Sequence, residues 1–171
     1  MSFINQNQNA MKTTVFTLMI ILFLVGTSFQ KKVDNAKEET AVKGVIEGEI
    51  NASFNGEYDH WSSYFVQEPY LVWMQSWKDG YLSLKGWKDI SASGKTYVKP
   101  ERKGTLIFNG NSEYTFRIYD DAAYVSFKCK STRISEGQSK ESEAMEVRLL
   151  EKHGGNWKIA YLSSIYLTTY K

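Results

Sequence analysis

The stretch that most restricts the fold runs from Ala144 to Leu167, AMEVRLLEKHGGNWKIAYLSSIYL. Two runs with strand composition flank His153-Gly154-Gly155-Asn156, a tight turn between them. Met145, Val147 and Leu149 alternate with Glu146, Arg148 and Leu150. A period of two sends these sets to opposite faces of a sheet. One face must meet a core or pocket, and the other solvent or a partner. The alternation alone leaves open which is which.

The same period extends upstream. Ala123, Val125, Phe127 and Cys129 alternate with Tyr124, Ser126, Lys128 and Lys130, a half-buried strand. Tyr114, Phe116 and Ile118 alternate with Thr115, Arg117 and Tyr119. Thr105 to Phe108 reads as a short strand, Asn109-Gly110-Asn111 as a loop, and Ser135 to Ser142 as a polar, mobile loop.

The first half has the helical period. Val42, Val45, Ile46, Ile50 and Phe54 share a stripe, with Lys43, Glu47 and Asn51 opposite, which predicts a helix over 40–54. Asn55-Gly56 ends it. A short helix follows over 57–65, with Tyr58, Trp61 and Phe65 on one side. Pro69 to Trp77 and Tyr81 to Leu84 form a hairpin around Lys78-Asp79-Gly80. Gly86 opens a third helix, which Gly94 weakens and Pro100 ends. Helices first and strands last predict an α+β domain, an antiparallel sheet covered on one face by helices. A lipocalin-like barrel fits the strands but leaves residues 40–65 unexplained.

The N-terminus reads as a signal peptide over 1–28. Met11-Lys12 gives a positive start, and Met11 is itself a candidate initiator. Val15 to Val25 is apolar but shorter than the about 20 residues a membrane span needs. Gly26-Thr27-Ser28 suits cleavage after Ser28, and residues 29–39 form a polar tether to a domain over 40–171. The expected location is periplasmic or secreted, with no membrane contact after cleavage. Cys129 is the only cysteine, so burial rather than a disulfide must hold the fold. At 171 residues and a net charge of +2, the chain fits one domain and offers no strong nucleic-acid signal.

Three features resemble the nuclear transport factor 2-like, or SnoaL-like, superfamily. They are Gly56-Glu57-Tyr58-Asp59 after a leading helix, the Gly86-Trp87-Lys88-Asp89-Ile90 helix start after a hairpin, and the closing pair 146–152 and 155–159. The resemblance spans about residues 40–167. It implies a curved antiparallel sheet wrapped around the N-terminal helices, with a pocket at the open end of the cone and a homodimer formed through the sheet. Its enzymes include ketosteroid isomerase, scytalone dehydratase, limonene epoxide hydrolase and polyketide cyclases; other members bind ligands or proteins without catalysis.

The ketosteroid isomerase pattern needs a Tyr on the first helix and an Asp in the first strand. Residues 40–54 hold no Tyr and residues 69–77 no Asp. The candidate acid–base residues are His60, Glu146 and Arg148. The candidate ligand contacts are Trp61, Trp73, Trp77, Trp87, Arg117 and Tyr119, in a chain that is 15% aromatic. Each has a plainer reading: His60 as a helix-end surface residue, Glu146 and Arg148 as an outer-face pair, the tryptophans as core. The two histidines and one cysteine have no metal-ligand spacing, so no metal is expected. No cofactor motif is present: Gly154-Gly155 is a hairpin turn with no following helix. The expected function is binding of a small apolar or ring-shaped ligand in an aromatic-lined pocket. The alternatives are a dehydratase, isomerase or hydrolase, and a protein-interaction or glycan-associated module.

Overall fold

The computed structural model describes residues 35–100 and 105–167. The expected signal peptide and residues 29–34 of the tether lie outside them. Helix α1 spans Asn35–Asn55, so the remaining tether residues, 35–39, are the helix's first turns. Helix α2 is Tyr58–Ser63, the hairpin is β1 Val72–Trp77 with β2 Gly80–Lys85, and helix α3 is Trp87–Tyr97. Strands β3 Thr105–Ile118, β4 Ala122–Ser135, β5 Gln138–His153 and β6 Asn156–Tyr166 complete the domain.

The six strands form one curved, unclosed sheet in the order β2-β1-β6-β5-β4-β3. Every pairing is antiparallel except β1 with β6. The open edges exclude the barrel alternative, and α1 and α2 occupy the residues a barrel leaves unexplained.

Two strand expectations are corrected. Asn109-Gly110-Asn111 does not break the chain into two strands, because β3 runs through it with register shifts at Phe108/Gly110 and Ser112/Thr115. The extra residues bulge while pairing continues on either side. Ser135 to Ser142 is not a mobile loop. Glu136 and Gly137 both have positive φ, 53° and 76°, and make a tight turn between long strands.

The core lies between the concave sheet face and the helices. Val42, Ile46 and Ile50 of α1 and Trp61 of α2 are buried with Val125, Phe127, Leu150 and Ile159 of the sheet. The α2–β1 connection is pinned by a parallel bridge from Phe65 to Ile159. Trp61 sits at the junction, with ring centroids 4.7 Å from Phe65, 6.1 Å from Trp73 and 6.3 Å from Trp87.

Candidate functional site

The inward face of β5 carries Ser142, Ala144, Glu146, Arg148 and Leu150, and the outward face carries Met145, Val147 and Leu149. The charged set of the closing hairpin is therefore inside. Arg148 is only 3% exposed and Glu146 6%. Glu49 joins them from α1, where its place between Ile46 and Ile50 puts it on the buried stripe.

These groups form a connected buried network. Arg148 donates from Nη1 to Glu146 Oε2 at 2.7 Å and from Nη2 to Glu49 Oε2 at 3.4 Å. Ser164 of β6 donates to Glu146 Oε2 at 2.8 Å, and Trp61 Nε1 donates to Glu49 Oε1 at 2.9 Å. The guanidinium also lies 5.5 Å from the centre of the Phe127 ring. Burial pushes the Glu49 carboxyl above its usual range, and the Glu146 charge adds to this; Arg148 and the Trp61 bond oppose it without cancelling it. Burial works against the charge on Arg148, but the two carboxylates outweigh it and hold the guanidinium charged.

The network borders a cavity of about 420 Å³. That size falls within the range of small-molecule sites. Trp61, Trp73, Phe54, Tyr97 and Leu106 give it apolar and aromatic walls, and Glu49, Glu146, Arg148, Gln75 and Ser164 give it polar ones. Trp73 Nε1 and Arg148 Nε are buried donors with no acceptor among the described residues. An unsatisfied buried donor costs about 1–3 kcal/mol, and an acceptor on a bound molecule would satisfy either one. Cys129 also lines the cavity, where burial raises its thiol to about 12, so it is a protonated wall group rather than a nucleophile.

The cavity therefore brings together Glu146, Arg148, Trp61 and Trp73. The other candidates lie elsewhere. His60 is exposed on α2, with Nδ1 3.2 Å from Glu57 Oε2 and Nε2 2.8 Å from the Tyr64 hydroxyl. Trp77 shares the Trp73 face, but at the strand end, where it is 44% exposed. Trp87 packs behind Trp61 and Phe65. Arg117 points outward because Phe116 and Ile118 take the inward positions, and Tyr119 is 63% exposed just after β3. None of these five lines the cavity. Among the described residues no group of His, Cys, Asp or Glu could hold a metal ion.

The residue that sequence reasoning missed is Glu49. Its signal was a charge at a position where the helical period demands an apolar side chain. Tyr97, Gln75 and Ser164 were missed as well. As lone polar or aromatic residues they carry no signal until the sheet curves.

Helices packed into a strongly curved, open sheet, with a cavity between them, define the nuclear transport factor 2-like fold. Solved structures of that fold match the chain. A nuclear transport factor 2-like protein of unknown function from Shewanella oneidensis MR-1 is 20% identical, with a TM-score of 0.56 over 75% of this chain and 98% of that one. A hexachlorocyclohexane dehydrochlorinase (LinA) type 2 is 14% identical, with a TM-score of 0.62 over 81% and 92%. A putative scytalone dehydratase from Novosphingobium aromaticivorans DSM 12444 is 12% identical, with a TM-score of 0.64 over 80% and 88%. At these identities the likeness establishes the fold and not the activity. No protein-family model matches the sequence, and no curated protein matches it.

Proposed function

We propose that the chain is an exported domain that binds a small apolar or ring-shaped molecule in this cavity. Trp61 and Trp73 supply ring contacts, and the Glu49–Arg148–Glu146 network supplies polar anchors. The observation that carries the reading is that network: three charged side chains, each under a tenth exposed, bordering an aromatic-walled cavity. A buried ion network is a weak contributor to stability compared with apolar packing of the same volume. Its position against the cavity fits recognition of a ligand. Native mass spectrometry of the protein purified without denaturation tests this. A co-purified small molecule, lost in Trp73→Ala, is expected. A bare mass, together with no thermal shift across a panel of aromatic and alicyclic compounds, would count against the reading. The same spectrum tests export, since a mature mass beginning at Phe29 is expected and one retaining Met11 would overturn it.

Glu49 favours a second reading, an acid–base enzyme of the dehydratase, isomerase or hydrolase kind. A carboxyl raised by burial, 3.4 Å from an arginine shared with a second carboxylate, holds its proton more tightly than a free carboxyl and is suited to acid–base work. Two of the matching structures are described as a dehydrochlorinase and a putative dehydratase. Once a converted compound is found, Glu49→Gln should keep binding and lose turnover. Full turnover in that variant would remove Glu49 from the chemistry.

A further inference from the structure

The cavity is electrically polarised along its length. Its lining carboxylates, Glu49 and Glu146, lie among the buried residues, tied to Arg148. Its other lining cations, Arg133 and Lys99, are exposed. The β4–β5 register adds a third, because Lys140 is the direct partner of Arg133 and so projects from the same sheet face. Along that face the paired residues run from Phe127 and Glu146, through Cys129 and Ala144 and then Ser131 and Ser142, to Arg133 and Lys140. Neither Arg133 nor Lys140 has an ion pair or side-chain hydrogen bond among the described residues. The acids of this part of β5, Glu141 and Glu143, alternate onto the opposite face, where Glu143 pairs with Lys128 and Lys130.

We infer that the ligand is an elongated, ring-bearing organic anion. Its anionic group is held at the mouth by Arg133 and Lys140, and a hydrogen-bond donor at its other end reaches the carboxylates of the floor. This rests on the ligand-binding reading above and names the class of ligand. A carboxylate beside an exposed arginine and lysine gains charge-assisted hydrogen bonds, for which arginine's planar fork is the better partner. The same group at the floor would meet two carboxylates, and the one guanidinium there already donates to both through Nη1 and Nη2, which leaves only its Nε for a neutral acceptor such as the oxygen of the donating hydroxyl. The orientation is therefore fixed. The bonds found at Glu146 both fall on Oε2, which leaves Oε1 to accept from a ligand hydroxyl. Length follows from the register: Lys140 and Glu146 are six residues apart on one strand, about 20 Å. Side chains reaching in from both ends leave room for two fused or linked rings between Tyr97, Leu106 and Trp73.

Isothermal titration calorimetry with three matched probes tests this: 4′-hydroxybiphenyl-4-carboxylate, its methyl ester, and biphenyl-4-carboxylate. At low salt the hydroxy acid should bind about tenfold tighter than the ester, the scale of one charge-assisted hydrogen bond. Arg133→Gln with Lys140→Gln should erase that preference and leave the affinity for the ester unchanged, which also shows that the variant is folded. Removing the hydroxyl should weaken binding in the wild type. Equal binding of acid and ester, or a preference that survives the double substitution, would overturn the anion assignment while leaving the cavity reading intact. Equal binding of the two acids would overturn the orientation. If none of the probes binds, this inference fails, while the cavity reading is still decided by the native mass spectrum and the compound panel.

Discussion

Arg148 carries two carboxylates, and its removal should be the most damaging change in the network. Arg148→Met would leave Glu49 and Glu146 buried together without a counter-charge. Breaking a buried pair in this way costs about 3–5 kcal/mol, measurable as a lowered midpoint in urea at unchanged slope. Glu49 should behave in the opposite way. Its folded pKa lies above the usual 4.5 of a free Glu, so its protonated form favours the folded state. That contribution is fully present below the unfolded value and is lost as pH rises through the folded one. Glu49→Gln keeps an acceptor for Trp61 and does not ionise. The melting temperature of the variant relative to wild type should therefore increase from about pH 4.5 upward. A difference that stays flat, or narrows with rising pH, would refute the raised pKa. These two residues also show how unevenly a sequence discloses a site. Glu146 and Arg148 are visible as an alternating pair, but the alternation is silent on which side they face. Glu49 looks like one more acid on a charged helix until its phase against Val42, Ile46 and Ile50 is worked out.

At the scale of elements, the legible parts were those with an uninterrupted period. The α1 stripe, the alternation of β4 and the closing hairpin all have one. The extent of β3 and β5 was not legible. At the far end of β5 both faces meet solvent over residues 138–141, and the inward residue that follows is a serine, so no apolar alternation marks this stretch, and Asn-Gly-Asn is a bulge that imitates a turn. Gly94 shows a related conflict. It lowers the helical tendency of α3, yet α3 is a helix, because the residue serves packing. A Cβ there would lie 2.4 Å from the Trp61 ring, inside the core. Gly44 in α1 is the control, since a Cβ at that position would meet nothing within 4 Å. Gly44→Ala should stabilise the domain by about 0.5–1 kcal/mol through helix propensity alone. Gly94→Ala gains the same propensity but forces an overpacked core that costs about 1–3 kcal/mol. Its melting temperature should fall while that of Gly44→Ala rises. Equal increases in the two would show that Trp61 yields freely.

At the scale of the whole molecule, the inward turn of the charged hairpin face has a consequence outside. The convex face of the sheet presents Val72, Tyr161, Leu149 and Tyr124 abreast across four strands, with Met74, Ile165, Met145 and Val147 beside them. Leu149, Ile165, Met74 and Tyr124 are each more than a third exposed. A contiguous apolar band of this kind is uncommon on a protein that works alone. We propose that its partner is a second copy of the chain. A two-fold contact requires one patch to be complementary to itself, and an apolar band, which carries no charge pattern to mismatch, meets that requirement. The charges flanking it do not oppose pairing, since Lys128 is already held by Glu113 at 2.8 Å and lies 3.9 Å from Glu143. Light scattering on the purified protein should give twice the chain mass. Leu149→Arg, at the centre of the band and on the side of β5 opposite Arg148, should give the monomer. The cavity lies on the other face of the sheet, so this variant should bind the same compounds as wild type, with an affinity that reports only the loss of support from the partner. A wild-type monomer at micromolar concentration, or a dimer undisturbed by the arginine, would move the interface away from this face.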